Sequence, residues 1–209
     1  MTIVCISDTH EKEFPEIPNG DILIHCGDFT GGKHSILALE ALNEWFKTLP
    51  HKYKILVPGN HDFCFETHEK ESREIITEAI ILINESIEIE GIKLYGTPDQ
   101  PWFYNWAFNK YSEELIESYN KIPEATDILI THTPPYGILD MVLRGEQVGS
   151  KELLCRIQEI KPKLSVFGHI HESYGTTKID ETTFINCAIC NLGYKPINKP
   201  IVFELKEKE

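Results

Sequence analysis

The chain has 209 residues, of which 41% are hydrophobic and 25% charged, and its formal net charge is −13. That length fits one domain spanning residues 1–209, with a core large enough to need no disulfide or other staple. The acidic balance excludes a long Lys/Arg-rich nucleic-acid track and docking on anionic lipid. A small anion can still bind where a local cation outweighs the protein's own charge.

The first expected element is an apolar, β-branched strand over residues 2–7. It carries no basic leader, and no stretch reaches the ~20 apolar residues of a membrane span, so a cytoplasmic chain is expected. A second strand covers 21–26. Helical spacing follows over 35–49, with Ile36, Leu39, Leu42, Trp45 and Phe46 on one face, Ser35 as N-cap and Pro50 at the exit. Residues 54–57 form a third strand, stopped by Pro58-Gly59. A charged helix is expected over 69–79. Short strands follow at 80–83, 86–90 and 92–96, with Glu90-Gly91 as a hairpin turn. A helix over 112–121 ends before Pro123. A buried strand covers 127–131, a helix 150–160 and a strand 163–167. Further strands run from Tyr174 to Leu205, and 206–209 read as a frayed tail. A βαβ rhythm followed by a β-rich half predicts a layered α/β sandwich.

Five strand ends carry metal-ligand residue types: Asp8-Thr9-His10, Gly27-Asp28, Gly59-Asn60-His61-Asp62, Thr131-His132 and Gly168-His169-Ile170-His171. Carboxylate and amide oxygens with imidazole nitrogens suit Mn²⁺, Fe or Zn²⁺. Ligands in open α/β sheets gather beyond the carboxyl ends of strands, where all five segments stand. Any one of these histidines alone reads as a packed structural histidine. The complete ordered set reads as a metal centre.

Other features read more plainly. His51 and His68 are expected at the surface, His34 in a Gly-rich turn, and His25 packed in the second strand with a possible contact near Asp28. The six scattered cysteines are expected as reduced thiols, and Cys187-Ala188-Ile189-Cys190 as ordinary packing. Gly31-Gly32-Lys33 lacks the spacing of a phosphate loop. The aromatic stretch 98–109 holds Trp102, Phe103, Tyr104, Trp106 and Phe108. It is expected as a small packed lobe, with a nucleobase-stacking loop as the sharper reading.

The block order resembles the calcineurin-like metallophosphoesterase superfamily: D-x-H, GD, GNH[D/E], [G]H and GHxH, here from Asp8 to His171. It is closest to the subfamily of metallophosphoesterase-domain-containing proteins, through phrases such as 24–30, 49–52, 100–104, 127–132 and 166–174. Thr131 stands where the fourth block usually has Gly. The resemblance implies an α/β/β/α sandwich with mixed β-sheets flanked by helices, and a centre of two divalent cations. Asp8, His10 and His171 would hold the first and Asn60, His132 and His169 the second, with Asp28 and a hydroxide bridging them. His61 would serve as the catalytic residue beside the substrate, with Asp62 behind it and Trp102 as a substrate contact. The implied activity is phosphodiester hydrolysis on small (cyclic) nucleotides or similar phosphodiesters. The alternatives are a nuclease, for which −13 gives no basic track, and a slow nucleotide-binding or scaffold protein, which degraded ligand blocks would mark. No long nucleic acid and no membrane are expected as partners.

Overall fold

The structure is a computed structural model that describes residues 1–12, 15–32 and 35–205. His34 and the tail 206–209 lie outside the described residues. In chain order the strands are β1 (Thr2–Ile6), β2 (Ile22–His25), β3 (Tyr53–Leu56), β4 (Ile80–Ile81), β5 (Glu85–Ile89), β6 (Ile92–Thr97), β7 (Gln100–Pro101), β8 (Asn109–Lys110), β9 (Ile128–Thr131), β10 (Leu164–Phe167), β11 (Gly175–Ile179), β12 (Thr182–Asn186) and β13 (Ile201–Glu204). The helices are α1 (Ile36–Thr48), α2 (Phe63–Thr67), α3 (Glu69–Ile75), α4 (Ser112–Tyr119) and α5 (Lys151–Ile160), with a 3₁₀ turn at His171–Ser173.

Two sheets carry the fold. One has the order β13-β1-β2-β3-β4, with β1 to β4 parallel and β13 antiparallel. The other has the order β11-β12-β10-β9-β6-β5, with four parallel central strands and an antiparallel strand at each edge. Ile3, Ile24 and Ile55 of the first sheet meet Leu94, Ile130 and Val166 of the second in one buried cluster. The alternate residues Val4, Leu23 and Leu56 pack on Leu39, Leu42 and Phe46 of α1 and Phe65 of α2. Tyr95, Leu129 and Phe167 pack on Leu115 and Tyr119 of α4 and Leu153 and Ile157 of α5. Both faces of each sheet are therefore covered, which explains their near-continuous apolar strands. The expected α/β/β/α layering is what these contacts build.

Local chemistry sets the element ends. The Ser35 hydroxyl accepts from Ala38 N at 3.2 Å, and the Ser150 hydroxyl from Leu153 N at 3.1 Å, capping α1 and α5. The helix expected over 69–79 stops at Ile75. Thr77 N and Glu78 N donate instead to Asn43 Oδ1 at 2.9 and 3.0 Å, and draw the chain off the helix axis. The turn α2 was not expected; its five residues are too few to show a helical period.

Three expectations meet a specific outcome. His51 is buried, not at the surface: only 2% exposed, with its Nε2 3.0 Å from Pro18 O. Cys187 and Cys190 are buried free thiols, as packing predicts. The aromatic stretch is not a packed lobe. Trp102, Phe103 and Tyr104 are 50%, 51% and 75% exposed, and only Ala107 and Phe108 enter the core. The polar anchors lie inside this loop: Asn109 Nδ2 donates to Phe103 O and Tyr104 O at 3.3 and 3.1 Å. The rings are left outside.

Candidate metal centre

The loops after β1, β2, β3, β9 and β10 open at one edge of the sandwich. A parallel bridge between Ser7 and Ala188 ties the two sheets there. The turns are tight enough to put four of the expected ligands at positive φ: Asp8 at 59°, His10 at 46°, Asp28 at 56° and His169 at 66°. Non-glycine residues rarely hold such angles, and they cluster at functional sites where surrounding structure enforces them. Gly168 is required by closeness, since a Cβ there would overlap Asp8 Oδ2 and Ser7 Oγ.

All seven expected ligands and His61 are brought together. Asp8, His10 and His171 form one converging group, and Asp28, His132 and His169 a second; Asp28 also converges with His10 and His61. Asp28 Oδ1 lies 3.4 Å from His132 Nε2, and its Oδ2 lies 3.8 Å from both His10 Nε2 and His61 Nε2. His171 Nε2 is 3.2 Å from Asp8 Oδ1, and His132 Nε2 is 3.0 Å from Asn60 Oδ1. His169 N donates to Asp8 Oδ2 at 3.0 Å.

The donor set fits metal ions. His132 Nδ1 sits 2.7 Å from Cys26 O and His171 Nδ1 sits 3.0 Å from Asn191 O. A carbonyl can only accept, so each Nδ1 carries a proton and each Nε2 turns inward, where loss of its own proton would free a lone pair for a cation. His10 Nε2 and His171 Nε2 then converge to 3.3 Å. Several Lewis-basic atoms aimed at one another inside a buried site are matched by cations.

Electrostatics follow the same geometry. Burial pushes the Asp8 and Asp28 carboxyls up, yet facing imidazoles hold both well below the usual carboxylate range: His171, His132 and His10 for Asp8, and His132, His61 and His10 for Asp28. Burial pushes the imidazoles of His132 and His171 down. Asp28 and Asp8 overcome it, raising each to about 9. At His169 burial, with the charge of His132 adding to it, outweighs Asp28 and Asp8 and lowers the ring to about 3.

Asp62 lies behind the centre. Its Oδ2 accepts from Asp28 N at 2.8 Å and Gly59 N at 2.7 Å, and its Oδ1 from Thr30 N at 2.9 Å. One carboxylate thus clamps the loops after β2 and β3. Burial, followed by the charge of Asp28, raises it to about 7 against those donors. His25 also works from behind: its Nδ1 accepts from Gly27 N at 3.2 Å, so its Nε2 donates to Thr9 Oγ1 at 3.1 Å.

Above this floor lies a cavity of about 560 Å³. Trp102 stands in its wall rather than at the ligands. Two contributors escaped the sequence reading. Trp106 stacks on His61 with centroids 4.2 Å apart. Tyr194, held at φ 53°, packs edge-to-face with His10, with ring centroids 4.7 Å apart. Trp106 lay within the aromatic stretch already noted. Tyr194 follows the last motif, and nothing in its spacing marks it.

Comparisons with known proteins agree with this arrangement. Residues 1–173 match the family model described as calcineurin-like phosphoesterase. The chain is 40% identical to Metallophosphoesterase domain-containing protein 1 of Homo sapiens, over 97% of this chain and 70% of that one. It is 37% identical to UPF0046 protein K07C11.7 of Caenorhabditis elegans, over 100% of this chain and 76% of that one. One solved crystal structure superposes with a TM-score of 0.64 at 17% identity, covering 88% of this chain and 89% of its own. That likeness speaks to the fold. Among the described residues, no helix is long and apolar enough to cross a membrane.

Proposed function

The chain belongs to the calcineurin-like phosphoesterase family, and we propose that it is a metal-dependent phosphodiesterase acting on small phosphodiesters, with nucleotides and cyclic nucleotides as the leading class. The observation that carries this reading is Asp28. Its two carboxylate oxygens face separate donor groups, His132 on one side and His10 and His61 on the other, beneath an open cavity.

Asp8, His10 and His171 would hold one cation and Asn60, His132 and His169 the other, with Asp28 shared. When bound, two divalent ions (Mn²⁺ first, Fe or Zn²⁺ otherwise) supply Lewis acidity at phosphorus and acidify water. Asp28 would limit repulsion between the two cations, and the neutral amide of Asn60 would add an oxygen without further charge. His61 borders the cavity and presents its Nε2 beside Asp28. From there it donates a proton to the phosphoryl group or to the departing oxygen. Asp62 keeps the turns that carry Asp28 and Asn60 in register.

The walls favour a diester over a monoester. Among the described residues lining the cavity, Arg144 is the one permanent cation, and it already pairs with Glu146 at 2.8 Å. A monoester dianion would meet little further positive charge, whereas a diester monoanion with an organic group on each side suits apolar walls. The net charge of −13 supports a small substrate over a long nucleic acid.

The test is a panel of 2′,3′- and 3′,5′-cyclic nucleotides with generic aryl mono- and diesters, each run with Mn²⁺, Zn²⁺, Mg²⁺ and Fe. Diester turnover that depends on metal is expected. Turnover of monoesters alone would overturn the diesterase reading.

A further inference from the structure

Trp102 and Tyr111 lie face to face, with centroids 4.9 Å apart and planes within 6°. Both rings are exposed, at 50% and 60%. Trp102 borders the cavity over the metal centre and Tyr111 does not. Tyr111 therefore backs one face of the indole and leaves Trp102 to meet whatever fills the cavity.

The loop that carries Trp102 is fixed from within. Gln100 N donates to Phe108 O at 3.1 Å, and Gln100 Nε2 donates to Ala107 O at 3.2 Å and Asn109 Oδ1 at 3.1 Å. The strands β7 and β8 pair at its neck. Ala107 N donates to Asn60 O at 3.1 Å, so the loop is tied directly to a residue of the donor set. The indole is thus held at a set place relative to the metal floor, and little ordering cost remains when a ligand arrives. The two rings are thus an exposed, stacked pair on a preformed loop at a cavity mouth.

We infer that Trp102, backed by Tyr111, is a stacking platform for the aromatic base of a nucleotide whose phosphate lies on the metal floor. This rests on the proposed phosphoesterase reading and adds the substrate's base to it. The occupant must offer phosphate at one end and a flat apolar face at the other, and a nucleotide has both. Stacking reads the face of a ring and not its edge, so purines and pyrimidines are both accepted, with purines favoured by area.

The test compares AMP with ribose 5-phosphate, which share the phosphate and sugar and differ in the base. Binding to the Mn²⁺-loaded full chain is measured by calorimetry for wild type, Trp102→Ala and Trp102→Phe. Base stacking predicts that wild type prefers AMP by about ten-fold or more. Trp102→Ala should remove most of that preference and Trp102→Phe should keep most of it. A wild-type preference near one, or an unchanged preference in Trp102→Ala, would overturn the platform. So would a changed oligomeric state in Trp102→Ala with the preference intact, which would make the rings a chain–chain contact. A preference lost as expected in a protein that turns over no diester would sink the phosphodiesterase reading and leave the platform standing.

Discussion

Trp106 lies over the imidazole of His61, with ring centroids 4.2 Å apart and planes 28° from parallel. His61 Nδ1 is buried without a hydrogen-bond partner, so the indole holds the ring where no backbone carbonyl does. His61→Ala should lower kcat by about 10²- to 10⁴-fold, the usual range for a proton-transfer group. Trp106→Leu should lower kcat by about 10-fold or more through loss of orientation, as outer-shell partners do. Both variants should keep the wild-type metal content by elemental analysis. Metal lost from His61→Ala would make His61 a ligand and reverse its assigned role.

Asp28 faces both donor groups, so its loss should be felt by both cations. Asp28→Ala is expected to lose all measurable diester turnover and to drop the bound metal below two per chain. Undiminished turnover with Mn²⁺ would contradict the shared-carboxylate reading.

His10 Nδ1 is the other buried imidazole nitrogen of the centre without a partner. Tyr194 packs edge-to-face with its ring, with centroids 4.7 Å apart and planes at 90°. Tyr194→Phe should therefore leave metal affinity close to wild type, while Tyr194→Ala should weaken the cation held by His10 by about 10-fold, the scale seen for outer-shell changes. Calorimetric titration with Mn²⁺ separates the two. Equal losses in both variants would assign the effect to the hydroxyl.

The metal-free and metal-loaded proteins should respond to pH in opposite ways. His132 and His171 are raised to about 9 by their carboxylates, from about 6.5 in an unfolded chain. In the metal-free protein their contribution to stability is complete below pH 6.5 and is lost as pH rises through 9. Ligation needs the neutral rings, so metal affinity rises over the same window. Thermal melts from pH 6.5 to 9.5 should show the metal-free Tm falling and the stabilisation by Mn²⁺ growing. Parallel curves would remove His132 and His171 from the donor set.

Gly168 leaves no room for a methyl group beside Asp8 and Ser7. Gly168→Ala should destabilise the fold by about 1–3 kcal/mol, the range for overpacking a close contact. It should also weaken metal binding, because Asp8 must move. Denaturant melts of the metal-free protein isolate the first effect and titration with Mn²⁺ the second.

The order of the candidate ligands was legible in the sequence because each sits one to four residues past an apolar strand, and strand ends converge in open α/β sheets. That regularity is local chemistry: β-branched runs make strands, and the turns beyond them display polar side chains. The layered fold followed from the same rhythm. Tertiary structure decided what has no local signature. His51 looked like a surface residue by its polar neighbours, yet its ring is buried with Nε2 3.0 Å from Pro18 O. The aromatic loop looked like core by composition. The Gln100 and Asn109 amides fill its interior with hydrogen bonds and turn Trp102 outward. Tyr194 reaches His10 across a long sequence separation, and only packing brings such residues together. Strand ends and donor types are set by neighbours along the chain. The support behind each imidazole and the wall above the metal floor are set by neighbours in space, which one-dimensional periodicity does not encode.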